Sequence, residues 1–171
     1  PKLAISGAAG RMGRRIVALA VDSENFEIYS TKDRSDHPDF GRDAGVLANL
    51  LELGVKVKDK FEPGADVLID FSLPEAVEET VDYCVDQKCA MVMGTTGLSD
   101  DKLKKLMEAS KKIPVIYGTN MSEGMNVLFN LVGKVAKTLG EDYDIEIVEE
   151  HHRFKKESPS GTARTLAENI L

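Results

Sequence analysis

The feature that most constrains this chain is an alternation. Short runs rich in β-branched and apolar residues, at Lys2–Ser6, Phe26–Ser30, Val67–Phe71, Ala90–Met93, Pro114–Tyr117 and Asp144–Glu149, are separated by longer segments of helical period. Strands that alternate with helices pair in parallel, since each crossover returns the chain to the same end of the sheet, and the helices then cover both faces. Helices are expected over Met12–Val21, over Pro74–Gln87 with Ser72 as N-cap, and over Asp100–Lys112 with Ser99 as N-cap, acids in the first turn and lysines in the last. A fourth is expected over Gly124–Leu139, where Leu128, Leu131, Val132, Val135 and Leu139 form a one-face stripe of the kind that packs into a core. Thr31–Lys60 is the least periodic stretch, with a marginal strand at Val55–Val57. His37, within it, reads as a solvated loop histidine.

A glycine turn refines the fold class. Gly7-Ala8-Ala9-Gly10-Arg11-Met12-Gly13 follows the first strand and opens the first helix. Small residues there let the backbone approach a pyrophosphate, and the free N–H groups of the helix start favour its negative charge. The spacing is G-x-x-G-x-x-G, and a tight strand-to-helix turn without a ligand is the competing reading. Asp33, twenty residues past Gly13, stands where a carboxylate can accept hydrogen bonds from ribose hydroxyls, and the adjacent Arg34 could pair with a 2′-phosphate. A solvated Asp-Arg turn is the alternative. Gly94-Thr95-Thr96-Gly97 and Thr119-Asn120-Met121-Ser122 close two further strands, so both loops are expected at the carboxyl edge of the sheet, where open α/β sheets bind ligands. The fold expected is therefore α/β, a Rossmann-like parallel sheet with helices on both faces over residues 1–122, followed by the first part of an α+β domain over residues 123–171.

Charge narrows the partners. The 171 residues carry 22 Lys+Arg against 29 Asp+Glu, a net charge of −7, which argues against nucleic acid or a membrane surface. No apolar run approaches the roughly 20 residues of a membrane span, and Pro1–Ile5 is too short and too soon interrupted by glycine to be a signal peptide. Cys84 and Cys89 lack a second pair to complete a zinc site and read as buried thiols in a reducing cytoplasm.

Against this acidic background one segment is cationic: Glu149-Glu150-His151-His152-Arg153-Phe154-Lys155-Lys156-Glu157-Ser158-Pro159-Ser160-Gly161-Thr162-Ala163. Local positive charge points to an anionic substrate, and Ser160-Gly161-Thr162 begins a helical pattern whose first N–H groups can grip a carboxylate. Histidine titrates near neutrality, so the same loop can donate protons. A solvated charge run is the competing reading. A metal on His151 and His152 is set aside, because adjacent residues of a strand face opposite ways.

Together these motifs, with Ile69-Asp70-Phe71-Ser72 and Gly124-Met125-Asn126, resemble the dihydrodipicolinate reductases over the whole chain. The resemblance implies reduction of 4-hydroxy-tetrahydrodipicolinate to tetrahydrodipicolinate by NADH or NADPH, in lysine and diaminopimelate biosynthesis in the cytoplasm. It makes His151 the catalytic proton donor or acceptor and Lys155 the proton donor, and places His152, Gly161 and Thr162 on the carboxylates of a small dicarboxylate substrate. Gly7, Ala8, Ala9, Gly10, Arg11, Met12, Asp33, Gly94, Thr95, Thr96, Thr119, Asn120, Met121 and Ser122 would bind the dinucleotide, with Arg34 on the 2′-phosphate of NADP. Residues 123–171 would then be an incomplete substrate-binding domain of a chain truncated at its C-terminus, a homotetramer when full length, able to bind dinucleotide but a poor catalyst by itself. Glu157-Ser158 stands where members commonly have Asp-Ala, and Thr119 where they have a small apolar residue. Two other readings share the glycine turn: a dinucleotide-binding module without catalysis, and another dehydrogenase of small amino or hydroxy acids.

Overall fold

The computed structural model describes residues 1–151, 153, 155 and 158–170. Its chain divides into two units, Pro1–Tyr117 and Gly118–Leu171. The first is built on six parallel strands, β1 Lys2–Ser6, β2 Glu27–Lys32, β3 Val57–Lys58, β4 Val67–Asp70, β5 Ala90–Met93 and β6 Val115–Tyr117, in the order β3-β2-β1-β4-β5-β6. Helices α1 Arg11–Asp22, α2 Ala44–Leu47, α3 Val77–Gln87 and α4 Asp100–Ser110 occupy the crossovers.

Alternation along the central strand explains why both faces are covered. Leu3 and Ile5 of β1 pack with Val17 of α1, Leu47 of α2, Ile28 and Val57. Ala4, between them, belongs to the opposite cluster, with Leu68, Val77, Val81, Cys84, Met91 and Leu106. Strands buried on two sides read as continuous apolar runs, which is how these appear in the sequence. Cys84 and Cys89 are both fully buried and not disulfide-bonded.

The chain order reverses at β1, which pairs with β2 on one side and β4 on the other. Loops leaving the carboxyl ends of those three strands diverge and leave a crevice between them. β2 starts one residue later than the alternation suggests and ends two later, because Thr31 and Lys32 pair with Val57 and Lys58. The stretch before α3 forms a short 3₁₀ turn at Pro74–Ala76, and the Ser72 hydroxyl donates to Asp70 Oδ1 (2.8 Å) instead of capping a helix. Ser99 holds the N-cap position of α4 without a side-chain cap bond, and α4 stops at Ser110, leaving Lys111 and Lys112 beyond its last turn.

The second unit contains α5 Glu123–Leu139 and α6 Gly161–Ile170, which pack on each other. Gly133 allows the close approach: a Cβ there would lie 2.4 Å from the Asn169 carbonyl oxygen. Asp144–Glu149 is not a strand, and among the described residues this unit has none with which it could pair, so its backbone groups find no ladder. The stripe on α5 is not core: Leu128, Leu131, Val135 and Leu139 are 40–52% exposed, and Phe129 is the buried side chain of the helix. Amphipathic period creates an apolar face but does not supply what covers it.

Candidate functional site

In the first unit the glycine turn is held by the end of β2. Gly7 and Ala8 both donate their N–H groups to the Lys32 carbonyl (2.9 and 3.1 Å), and Ala9 N–H donates to Asp33 Oδ2 (3.0 Å). Gly7 has φ +74°, and a Cβ on it would fall 2.5 Å from the Phe71 carbonyl oxygen, so the position excludes a side chain on two counts. Gly13 brings α1 against the turn, since a Cβ there would meet the Gly7 oxygen at 2.2 Å. The turn thus places the start of a twelve-residue helix, with its unpaired N–H groups, at the crevice.

A cleft of about 670 Å³ opens there, lined by Gly7, Gly10, Asp33 and Arg34. Asp33 Oδ1 accepts the Arg34 N–H (2.9 Å). A carboxylate offers about four acceptor positions, so the two bonds to backbone orient it and leave capacity for two ribose hydroxyls. The Arg34 guanidinium is mostly exposed, 3.6 Å from Asp36. The cleft is also lined by residues the sequence did not single out, among them Lys32, His37, Ser72 and Glu79. Lys32 is buried, with Nζ 2.7 Å from Glu79 Oε2 and over the Phe61 ring. His37, read as a solvated loop residue, accepts the Asp39 N–H on Nδ1 (3.1 Å) and faces the cleft with its ring mostly buried. No periodic signal marks either residue; for His37 the Asp36-His37-Pro38-Asp39 run is the one available hint.

Of the other expected dinucleotide contacts in this unit, Ala8 and Ala9 are buried in the turn, and Arg11 and Met12 are exposed at its helix start. A Cβ on Gly94 would strike the Phe71 ring at 2.4 Å, so this glycine lets the aromatic ring seat beneath the loop. Thr95 is buried and its hydroxyl donates to Asp70 Oδ1 (2.5 Å), which also receives Ser72 N–H (2.9 Å). That hydroxyl ties two loops together, leaving the Thr95 backbone and the half-buried Thr96 to meet a ligand.

In the second unit the expected cofactor loop and the expected substrate turn are in contact. Asn120 Nδ2 donates to Thr162 Oγ1 (3.3 Å), and the Thr119 and Thr165 hydroxyls are 2.9 Å apart. Thr165 therefore explains the polar residue at position 119. Ser122 accepts the Met125 N–H and caps α5, while Met121 is exposed. Gly161 and Thr162 form the first turn of α6, where Ser160 Oγ accepts the Ala163 N–H (3.0 Å). Lys155 is partly buried and His151 exposed; His152 and Glu157 lie outside the described residues. Among those described, no three His, Cys, Asp or Glu side chains cluster as a metal site.

Glu149 is the residue the motif reading passed over. Its Oε1 accepts the Ser160 N–H (2.9 Å) and its Oε2 lies 2.8 Å from His151 Nε2. The Ser160 hydroxyl, then His151 and the Ser160 amide, lower its carboxyl from 4.5 to about 2. A depressed carboxyl stabilises the folded form above its unfolded pKa and loses that contribution as pH falls through the folded value. The Ser160 amide resonance should accordingly titrate with a midpoint near 2 and not near 4.5. A midpoint at the ordinary carboxyl value would show the bond to be absent in solution.

Residues 1–121 match the family described as dihydrodipicolinate reductase, N-terminus, and residues 124–171 its C-terminus. The chain is 44% identical to the 4-hydroxy-tetrahydrodipicolinate reductase of Citrifermentans bemidjiense over 99% of its own length and 64% of that protein. It is 44% identical to the enzyme of that name from Anaeromyxobacter dehalogenans, over 98% of the chain and 63% of the relative. The dipicolinate-bound dihydrodipicolinate reductase of Paenisporosarcina sp. TG-14 superposes with a TM-score of 0.71 at 28% identity, over 99% of this chain and 64% of that one. The chain thus spans about 64% of the length of the curated relatives it matches.

Proposed function

Because this chain belongs to the dihydrodipicolinate reductase family, we propose that it forms the nucleotide-binding unit and the proton-donating part of an NAD(P)H-dependent 4-hydroxy-tetrahydrodipicolinate reductase of lysine and diaminopimelate biosynthesis. The observation that carries the reading is the turn at Ser160–Thr162. It is bonded on one side to Asn120, in the loop expected at the dinucleotide, and on the other, through Glu149, to His151. One turn therefore joins a small-residue helix start suited to a carboxylate with a proton-exchanging imidazole.

In this reading Gly7–Met12, Asp33, Gly94–Thr96 and Thr119–Ser122 bind the dinucleotide, whose chemistry is hydride delivery. His152, Gly161 and Thr162 bind the carboxylates of a small dicarboxylate. His151 and Lys155 supply the proton that the reduced substrate requires. Residues 123–171 are the first part of a substrate-binding domain that this chain holds incompletely, and the full-length protein is a cytoplasmic homotetramer. Among the described residues no helix is long and apolar enough to cross a membrane.

The test is calorimetry with NADH and with dipicolinate, on a protein carrying this chain at the length of its relatives. Binding of both is expected; binding of NADH alone would favour a non-catalytic dinucleotide module. Cofactor choice has its own test. Arg34→Ala should raise the Kd for NADPH by about tenfold or more, the worth of a charge-assisted phosphate contact, and barely change that for NADH. Equal effects on both would mean that the guanidinium does not reach the phosphate.

A further inference from the structure

In the reading above Glu149 is only the link between the Ser160 turn and His151, with no role in the proton step, yet it touches both of the features that reading needs. An ionised carboxylate can only accept hydrogen bonds. Its Oε1 is taken up by the Ser160 N–H at the start of α6, a ten-residue helix whose dipole favours a negative charge there. This leaves Oε2 directed at His151 Nε2, 2.8 Å away. Because the acceptor carries no proton, Nε2 must carry one, whether the ring is neutral or charged. The nitrogen that changes protonation is then the other one.

We propose that Glu149 is a positioning residue that locks His151 in the Nε2–H form, making Nδ1 the nitrogen that gives up and regains the catalytic proton. The proposal rests on the reading of His151 as proton donor and adds the atom and the residue that selects it. The proton step balances. The Nδ1–H bond breaks, a C–H bond forms at the carbon holding the electron pair left by hydride addition, and the neutral ring keeps its Nε2–H on Glu149. The His151 side chain is 39% exposed, so water can return the proton to Nδ1. The contacts that keep the Glu149 carboxyl near 2 also keep the acceptor ionised throughout the working pH range. Anchored on Ser160, the same carboxylate fixes the distance between the imidazole and the turn expected to hold the substrate carboxylate.

The experiment reads the tautomer directly. The chain contains three histidines, so its isotope-labelled imidazole nitrogens can be assigned by substituting His37 and His152 in turn. At a pH where the rings are neutral, His151 should show a protonated Nε2 and an unprotonated Nδ1. Glu149→Ala should lower that tautomer ratio by about tenfold or more, the worth of a charge-assisted hydrogen bond. Glu149→Gln, whose amide oxygen can still accept, should retain a weaker preference. A wild-type ring protonated on Nδ1 or without preference overturns the proposal, as does an unchanged ratio in Glu149→Ala. If the alanine variant does not fold, the wild-type and glutamine spectra decide. The readout uses neither turnover nor dicarboxylate, so failure to bind dipicolinate would count against the reductase reading while leaving the tautomer result standing.

Discussion

Gly13→Ala should cost the nucleotide unit about 3 kcal/mol or more and raise its Kd for NADH at least tenfold. Two effects oppose each other at this position. Alanine in a helix interior is favoured over glycine by about 1 kcal/mol, so the substitution would stabilise α1 if space allowed. Space does not allow it: the new methyl would lie 2.2 Å from the Gly7 oxygen and 2.5 Å from Ala8 Cα, both backbone atoms that no rotamer change can move aside. Overpacking against backbone typically costs about 1–3 kcal/mol and more where the chain itself must shift, so the clash outweighs the propensity. The shift would also displace the turn whose amides face the cleft. Gly124→Ala is the internal control, because a Cβ in that first turn of α5 meets nothing within 4 Å. Its urea midpoint should equal or slightly exceed that of the parent chain. A Gly13→Ala midpoint at or above the parent value would refute the packing assigned to the turn.

The second large effect belongs to the two residues proposed as proton donors, His151 and Lys155. In a protein carrying this chain at the length of its relatives, His151→Ala and Lys155→Ala should each lower kcat for 4-hydroxy-tetrahydrodipicolinate roughly a hundredfold or more, the usual worth of one placed acid. KM should move much less, because an acid acts on the charge that develops in the transition state. Steady-state NAD(P)H oxidation checks this, and unchanged kcat in both variants would remove these residues from the reaction.

Much of the first unit was legible because its strands are buried on both faces. β1 at Lys2–Ser6 and β5 at Ala90–Met93 have the bounds that their apolar runs suggest. α1 follows the glycine turn within a residue of expectation. β2 runs further than its pattern because Thr31 and Lys32 pair with β3, where the Lys32 ammonium is met by Glu79 and the Phe61 ring. The short β3 was signalled only by Val55–Val57 and needed β2 to pair with. His37 looked like loop punctuation because a single residue in an aperiodic stretch carries no periodic signal; its place at the cleft follows from the bond to Asp39. In the second unit, Asp144–Glu149 has a strand composition without a ladder, and the α5 stripe has a core composition without a cover. Both failures share one cause: composition specifies what a segment could bury or pair, and only a neighbour completes it.

Local chemistry, then, was written in the residues themselves: a glycine turn, an acid-arginine pair, a cationic loop running into a glycine-threonine helix start. These depend on backbone conformation and charge within a few positions, which sequence order expresses directly. The assignment of work among them came from tertiary structure. It engaged the Thr95 hydroxyl with Asp70, aligned Thr119 with Thr165, and set Glu149 between His151 and Ser160. Those partners lie 25, 46, 2 and 11 residues apart in the chain. The 11-residue separation became a contact because the chain returns Ser160, at the start of α6, to the segment that holds Glu149.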